Sequence, residues 1–407
     1  MKPEYSEYKN KFYKKSVCII SDCFIPTRNS ASGMIYNLSR SLMKEGAFVT
    51  CIHSGHNPEK NQSHFKDYDI SGIDFITTNF LDFFRDKNML SRFFFEIGLS
   101  LILSIKVIRL YKQLQNNDLV IWYGPSAFLW LPAFLTKKIS NAPIYYILRD
   151  IFPDWLKSIG LIKNDTLFKT LNFLSYPQYL IPNKIGVESP ENLRLIKLKL
   201  RKKIQLEVLY NWPSINSKEL FKLKKTKVYQ KIRAVYTGNF GSAQDANNIL
   251  KFLNSFTDNK MLEILFYSKN NYPKLDKINY VSFKKTVQEN ELPNIFYSSN
   301  CGVVSLNRNL TSSNIPGKFV SYTQFGLPIL CFANKKSKIS RLINENQCGI
   351  VIDYKDDIGI NIEKIKSFCK KIKSNNNIYS KNSKILHEKF FDIIQVKKQI
   401  GSLFDDI

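Results

Sequence analysis

Short, almost wholly apolar segments alternate with helical patterns twice over in this 407-residue chain, and a polar, lysine-rich stretch at 214–230 separates the two series. In the first series the expected strands are 17–21, 48–53, 73–77, 119–123, 144–148 and 184–188, with helical patterns between most of them, the first at 33–45. The second series restarts at 233–237 and continues at 262–267, 280–283, 302–306, 328–332 and 349–352. A strand that is apolar at nearly every position is buried on both faces, the condition of a parallel sheet covered by helices on both sides. The pattern predicts an α/β chain of two doubly wound domains, with the boundary near 211–226. Ligands of such sheets bind beyond the carboxyl ends of the strands, so a cleft between the domains is the expected active site.

Hydrophobic residues make up 44% of the chain, enough for two cores and too much for a disordered chain. The seven cysteines (Cys18, Cys23, Cys51, Cys301, Cys331, Cys348, Cys369) fall mostly in apolar runs, are odd in number and form no C-x-x-C pair. Buried thiols of a reducing compartment are expected from this usage. The four histidines share no ligand spacing, so no metal site is expected. Residues 1–15 are polar and Tyr-rich, without the apolar region of a secretory signal, and the longest apolar stretch, 93–110, is interrupted by Glu96, Lys106 and Arg109. The expectation is a cytoplasmic protein without a spanning helix. A net charge of +26 calls for a polyanionic partner. The charge is spread along the chain and no nucleic-acid-binding motif accompanies it, which favours an anionic membrane surface over nucleic acid.

Five stretches carry charge or glycine where chemistry is done. S-D-C-F-I-P-T-R-N-S-A-S-G at 21–33 runs from a strand into a helix N-terminus, offering backbone N–H groups to an anion or forming an ordinary turn capped near Asn29 or Ser30. R-D-I-F-P-D-W at 149–155 puts Asp150 at the carboxyl end of a strand, where open sheets keep catalytic groups, while Asp154 suits a helix N-cap. T-G-N-F-G-S-A-Q-D at 237–245 sets Gly238 and Gly241 where backbone can approach a pyrophosphate, or makes a loosened turn with Asp245 in the first helical turn. In N-I-P-G-K-F-V-S-Y-T-Q-F-G-L-P at 314–328, Pro316 suits a first helical turn and Gly326 a stop. Lys318 then stands where the helix dipole disfavours a cation unless an anion is bound beside it; its plain alternative is a solvated lysine. Finally, 92–111 fits a helix lying on a membrane surface as well as it fits a core helix, and 128–135 followed by Lys137 and Lys138 could join the same patch.

These pieces, with L-Y-N-W-P at 209–213, resemble the family 4 glycosyltransferases of the GT-B fold, nearest to bacterial O-antigen and capsule enzymes of the N-acetyl-L-fucosamine transferase type. The resemblance runs from the first strand to Pro328. It implies a 1–212 Rossmann-like domain for the acceptor, a 213–385 Rossmann-like domain for the nucleotide sugar, and a 386–407 helix returning to the first domain. It implies a retaining transfer that needs neither metal nor cofactor, from a UDP-sugar to a saccharide on undecaprenyl diphosphate, at the inner face of the cytoplasmic membrane. Gly238 and Gly241, with Asn239 and Gln244, would face the donor diphosphate, Lys318 would offset its charge, and Asn314, Ile315, Pro316 and Gly317 would bring backbone N–H groups to the sugar. Gly33 would lie in the loop that nears the diphosphate, and Phe283 would line the base pocket. Asp150 would stand near the acceptor hydroxyl, with Asp22, Arg28 and Arg149 on the acceptor side.

The chain departs from the broad family at three places. Ser313 and Ser321 stand where two glutamates eight positions apart are usual, so the ribose and sugar contacts differ and a deoxy sugar becomes the leading donor class. Gln244 and Asp245 stand where the family often has an Arg/Lys pair, which moves phosphate binding onto Lys318, with Arg308 as helper. A nucleotide-sugar 2-epimerase of the same fold is the rival enzyme, and the scarce histidines argue against it. A non-enzymatic basic membrane or nucleic-acid binding protein is the other rival.

Overall fold

The computed structural model describes residues 10–27, 29–55, 62–66, 68–79, 89–158, 160–200, 204–214, 231–241, 244–256, 261–269, 278–307, 315–353, 355–374 and 378–405. The chain divides into two compact units, residues 1–210 with 396–407, and residues 211–395. In the first unit seven strands, β1 (Ser16–Ser21), β2 (Phe48–Ser54), β3 (Ile73–Thr78), β4 (Leu119–Gly124), β5 (Ile144–Leu148), β6 (Lys184–Val187) and β7 (Gln205–Val208), form one sheet in the order β3-β2-β1-β4-β5-β6-β7. In the second, β8 (Ile232–Thr237), β9 (Leu262–Tyr267), β10 (Val281–Lys284), β11 (Cys301–Ser305), β12 (Ile329–Phe332) and β13 (Gly349–Ile352) form a sheet in the order β10-β9-β8-β11-β12-β13. Every pairing among the described residues is parallel. The expected architecture, two doubly wound α/β sheets, is the one observed.

The central strands are buried at every residue in β4, β5 and β11, as near-continuous apolar runs require. The edge strand β7 was not expected: its Q-L-E-V alternates polar and apolar residues, and none of the four is fully buried. Among helices, the first begins at Ser30 instead of 33, because Asn29 caps it by accepting the Ser32 N–H at 2.8 Å. The stretch 128–135 is core and not surface. Phe128, Leu129 and Ala133 are buried, and the helix Trp130–Ser140 packs against the helix Met89–Arg109. All seven cysteines are buried and none forms a disulfide, and burial pushes the Cys51 thiol up to about 12.

The chain returns to the first unit later than the sequence boundary at 386. Phe391 meets Phe319 edge-on at 5.9 Å, and His387 lies 3.3 Å from the Thr323 hydroxyl, so this segment belongs to the second unit. From Val396 onward the contacts are with the first unit: Lys397 pairs with Glu45, Gln399 donates to the Val208 carbonyl at 2.9 Å, and Phe404 packs on Phe12.

One glycine ties sheet to site in the second unit. A Cβ built on Gly302 of β11 would fall 2.3 Å from the Tyr322 ring, and the Tyr322 hydroxyl in turn accepts the Thr237 N–H at 3.0 Å at the end of β8. Gly302→Ala is expected to push this buried ring aside and destabilise the protein by about 2 kcal/mol, read as a fall in the denaturant midpoint. An unchanged midpoint would refute this account.

Candidate functional sites in the two units

In the first unit the ends of four adjacent strands bring polar groups together. Asp22 follows β1, Tyr123 lies near the end of β4, Arg149 and Asp150 follow β5, and Glu188 follows β6. The helix Met89–Arg109 adds Arg92 and Glu96. Arg92 Nε donates to Glu96 Oε1 at 3.2 Å, and the Ser126 hydroxyl donates to Glu96 Oε2 at 3.3 Å. Arg149 is buried, donates to the Leu209 carbonyl at 2.8 Å and hydrogen-bonds Tyr123.

Asp22, Glu96 and Asp150 thus share one partly dehydrated region with the guanidinium groups of Arg92 and Arg149. Burial pushes the Glu96 carboxyl up to about 7; Arg92 opposes that rise and the Asp22 charge adds to it. Asp150 is likewise raised by burial, with Arg92 and Arg149 pulling it down and Asp22 pushing it up. The Glu96 carboxyl can thus hold or accept a proton near neutrality. Asp154, by contrast, starts the helix Asp154–Ser158 and pairs with Lys199, a structural role. Among the described residues no cluster of three His, Cys, Asp or Glu has the arrangement of a metal site.

The sequence reading placed Asp22, Arg149 and Asp150 here and missed Glu96 and Arg92. The signal was present. Glu96 shares the inward face of its helix with Phe95, Leu99, Leu103 and Val107, and a carboxylate on a buried stripe needs a reason. Gly33 is buried inside the first turn of its helix and not in the preceding loop, because the Asn29 cap starts the helix earlier. Arg28 lies outside the described residues.

In the second unit, β8 ends in the turn of Gly238 and Gly241. Gly238 has φ of +98°, a conformation that glycine alone adopts cheaply, and space around it is open. Gln244 is occupied inside the turn: its side-chain oxygen accepts the Gly241 N–H at 3.1 Å, and its carbonyl accepts the Ser305 hydroxyl. Asp245 takes the N-cap position with φ of +57° and binds the Asn248 side chain at 2.7 Å. Asn239 is exposed, and its carbonyl accepts the Tyr236 hydroxyl at 2.6 Å.

The helix Gly317–Gln324 begins after Pro316 with no side-chain cap and no acidic residue in its first turn. Its Lys318 ammonium lies 3.7 Å from the centre of the Tyr236 ring, and has no ion pair among the described residues. Loss of water around the ammonium lowers its pKa from the usual 10.5 to about 7. Tyr236 therefore joins the glycine turn to the lysine: its hydroxyl holds the Asn239 carbonyl and its ring carries the ammonium. A half-buried ammonium with no ion pair among the described residues, at an uncapped helix N-terminus, suits an anion. Ile315 is buried, Gly317 exposed and Ser321 half-buried on the same helix approach. Phe283 is half-buried on β10, stacked on Phe266 at 5.0 Å, and through it reaches Tyr236. Arg308, Ser313 and Asn314 lie outside the described residues.

The raised Glu96 carboxyl has a measurable sign. A carboxyl that ionises near 4.5 unfolded and near 7 folded holds a proton in the fold between those values, so its stabilising contribution is complete below pH 4.5 and is lost as pH rises through 7. Glu96→Gln removes this loss. Its stability relative to the parent is expected to rise by on the order of 2 kcal/mol between pH 5 and pH 8 in urea unfolding. A difference that stays flat across that range would disprove the burial argument.

No family model matches the chain, and no curated protein does. Solved structures of the same fold do. Sucrose-phosphate synthase from Thermosynechococcus elongatus aligns at a TM-score of 0.62 with 11% identity, over 97% of this chain and 99% of that one. WaaG, a glycosyltransferase involved in lipopolysaccharide biosynthesis, aligns at 0.59 with 10% identity, over 95% and 99%. HepE of Anabaena, solved with UDP and glucose, aligns at 0.58 with 10% identity, over 96% and 99%. The two parallel-sheet units of this chain share the GT-B fold of glycosyltransferases.

Proposed function

We propose that this protein is a glycosyltransferase of the family 4 type. On this reading it moves a sugar from a nucleotide diphosphate, UDP first among them, to a saccharide carried on a polyprenyl diphosphate in surface-polysaccharide synthesis at the inner face of the cytoplasmic membrane. The observation that carries the reading is Lys318, a dehydrated ammonium on the Tyr236 ring, at an uncapped helix N-terminus and beside the glycine turn after β8. This arrangement suits a diphosphate, whose charge would be met by Lys318 and backbone N–H groups without a divalent ion.

The transfer is of the retaining kind. The bond from the sugar's anomeric carbon to the diphosphate oxygen breaks, the acceptor oxygen bonds to that carbon on the same face, and the acceptor proton passes to the departing phosphate. Asp150, in the first unit, receives the hydrogen bond of the acceptor hydroxyl, with Arg149 and Asp22 beside it. Ser313, where the family usually has a sugar-binding carboxylate, supports an N-acetylated deoxyhexose, such as N-acetyl-L-fucosamine, as the donor sugar.

The decisive assay offers the purified protein a panel of UDP- and GDP-sugars with a short lipid-diphosphate saccharide, products being read by mass spectrometry. Release of a 2-epimer without acceptor would favour an epimerase, and duplex DNA binding with no product from any donor would favour a basic binding protein. Lys318→Met is expected to weaken UDP binding roughly 10- to 100-fold in calorimetry. At pH 8 the free lysine is largely neutral and the complexed one charged, so UDP binding takes up close to one proton, and the variant takes up none. Equal UDP affinity in parent and variant would sink the assignment.

A further inference from the structure

The helix Met89–Arg109 answers both readings of its sequence at once, one on each face. Inward, Phe95, Leu99, Leu103 and Val107 are buried in the core of the first unit. Outward, Phe94, Leu101, Ile105 and Ile108 are 61%, 52%, 50% and 56% exposed. At 100° per residue these four lie within about 60° of arc, so they form a single stripe along the helix. Ile97, Gly98 and Ile102 flank it, and between Phe93 and Ile105 the helix carries no charge except the buried Glu96. At the end of the stripe Arg109 and Lys112 are exposed, while Lys106 is partly tied down by donating to the Thr77 carbonyl at 2.6 Å.

Isolated exposed apolar residues are ordinary, but a continuous stripe four turns long costs solubility and marks a contact surface. The stripe cannot mark a spanning segment, since no helix among the described residues is long and apolar enough to cross a membrane. A second copy of the chain is a poor occupant, because each copy carries a net charge of +26 and like charges repel. An anionic lipid surface matches both halves of the pattern, apolar side chains entering the headgroup boundary and cations meeting the lipid phosphates.

We propose that the outward face of this helix, from Phe94 to Arg109, together with Lys112 just beyond its end, is the surface by which the protein docks on anionic membrane. This deepens the membrane address of the proposed function by naming the surface that provides it. The helix then lies flat on the lipid, with the stripe immersed and Arg109 and Lys112 at headgroup level. Its opposite face carries Glu96 into the carboxylate cluster, so the element that touches lipid also builds the polar site of the first unit.

Sedimentation with vesicles of phosphatidylcholine alone, or mixed with phosphatidylglycerol, tests this on the full chain. The parent is expected to bind the anionic vesicles and to be weakened by salt. Changing Leu101, Ile105 and Ile108 together to Gln should lower partitioning roughly a hundredfold. Arg109→Gln with Lys112→Gln should lower it on the order of thirtyfold on anionic vesicles, with little effect on neutral ones. The triple variant should keep the parent's UDP affinity and melting temperature, which separates a lost surface from a lost fold. Vesicle binding unchanged in the triple variant, or a concentration-dependent dimer in the parent that this variant abolishes, would overturn the proposal. Failure of the parent to bind UDP would instead sink the transferase reading and leave the docking surface standing.

Discussion

A parallel strand buried on both faces can present polar groups only at its ends. In β4, β5 and β11 every residue is buried, so these central strands offer no place for charge. Charge is therefore forced into the turns beyond the carboxyl ends, where the next helix starts. That one constraint accounts for Asp22, Arg149 and Asp150 in the first unit and for the Gly238 turn and Ser305 in the second. It also makes the glycines matter. Where strands pack this tightly, a ring such as Tyr322 can reach the strand ends only past a residue with no side chain, which is Gly302.

The two units handle buried charge in opposite ways. In the first, carboxylates and guanidinium groups compensate one another, and the remaining cost appears as Glu96 and Asp150 holding their protons more tightly. In the second, Lys318 has the face of Tyr236 and no ion pair among the described residues, and the cost appears as a proton held too weakly. The first arrangement suits a neutral, hydroxyl-bearing ligand whose proton can be shared. The second is incomplete until something negative arrives, because a cation–π contact offsets only part of the lost hydration.

Much of this was legible in the residues, and what was not has physical causes. The central strands announce themselves because burial on both faces leaves an apolar run; β7 does not, because its Q-L-E-V at the sheet edge has no such run. Asp150 and Lys318 stood out by position, one just past a strand and the other just inside a helix against its dipole. Glu96 was hidden by its neighbours. In an apolar stretch a single glutamate reads as an interruption, and only helix phase shows that it points inward, toward Asp22 and the Ser126 hydroxyl. The ambiguity of 92–111 was of the same kind. Sequence hydropathy adds the two faces of a helix together, whereas the fold separates them.

The return of 396–407 to the first unit makes that unit discontinuous in the chain. Lys397 with Glu45, Gln399 with Val208 and Phe404 with Phe12 join residues that follow the second unit to three earlier parts of the first. As the chain leaves the ribosome, the second unit has all its own residues before the first has its last ones. The earlier half of the protein is thus completed after the later half. While the second unit is being made, the first has all seven strands of its sheet and lacks the segment from Val396 that packs on it.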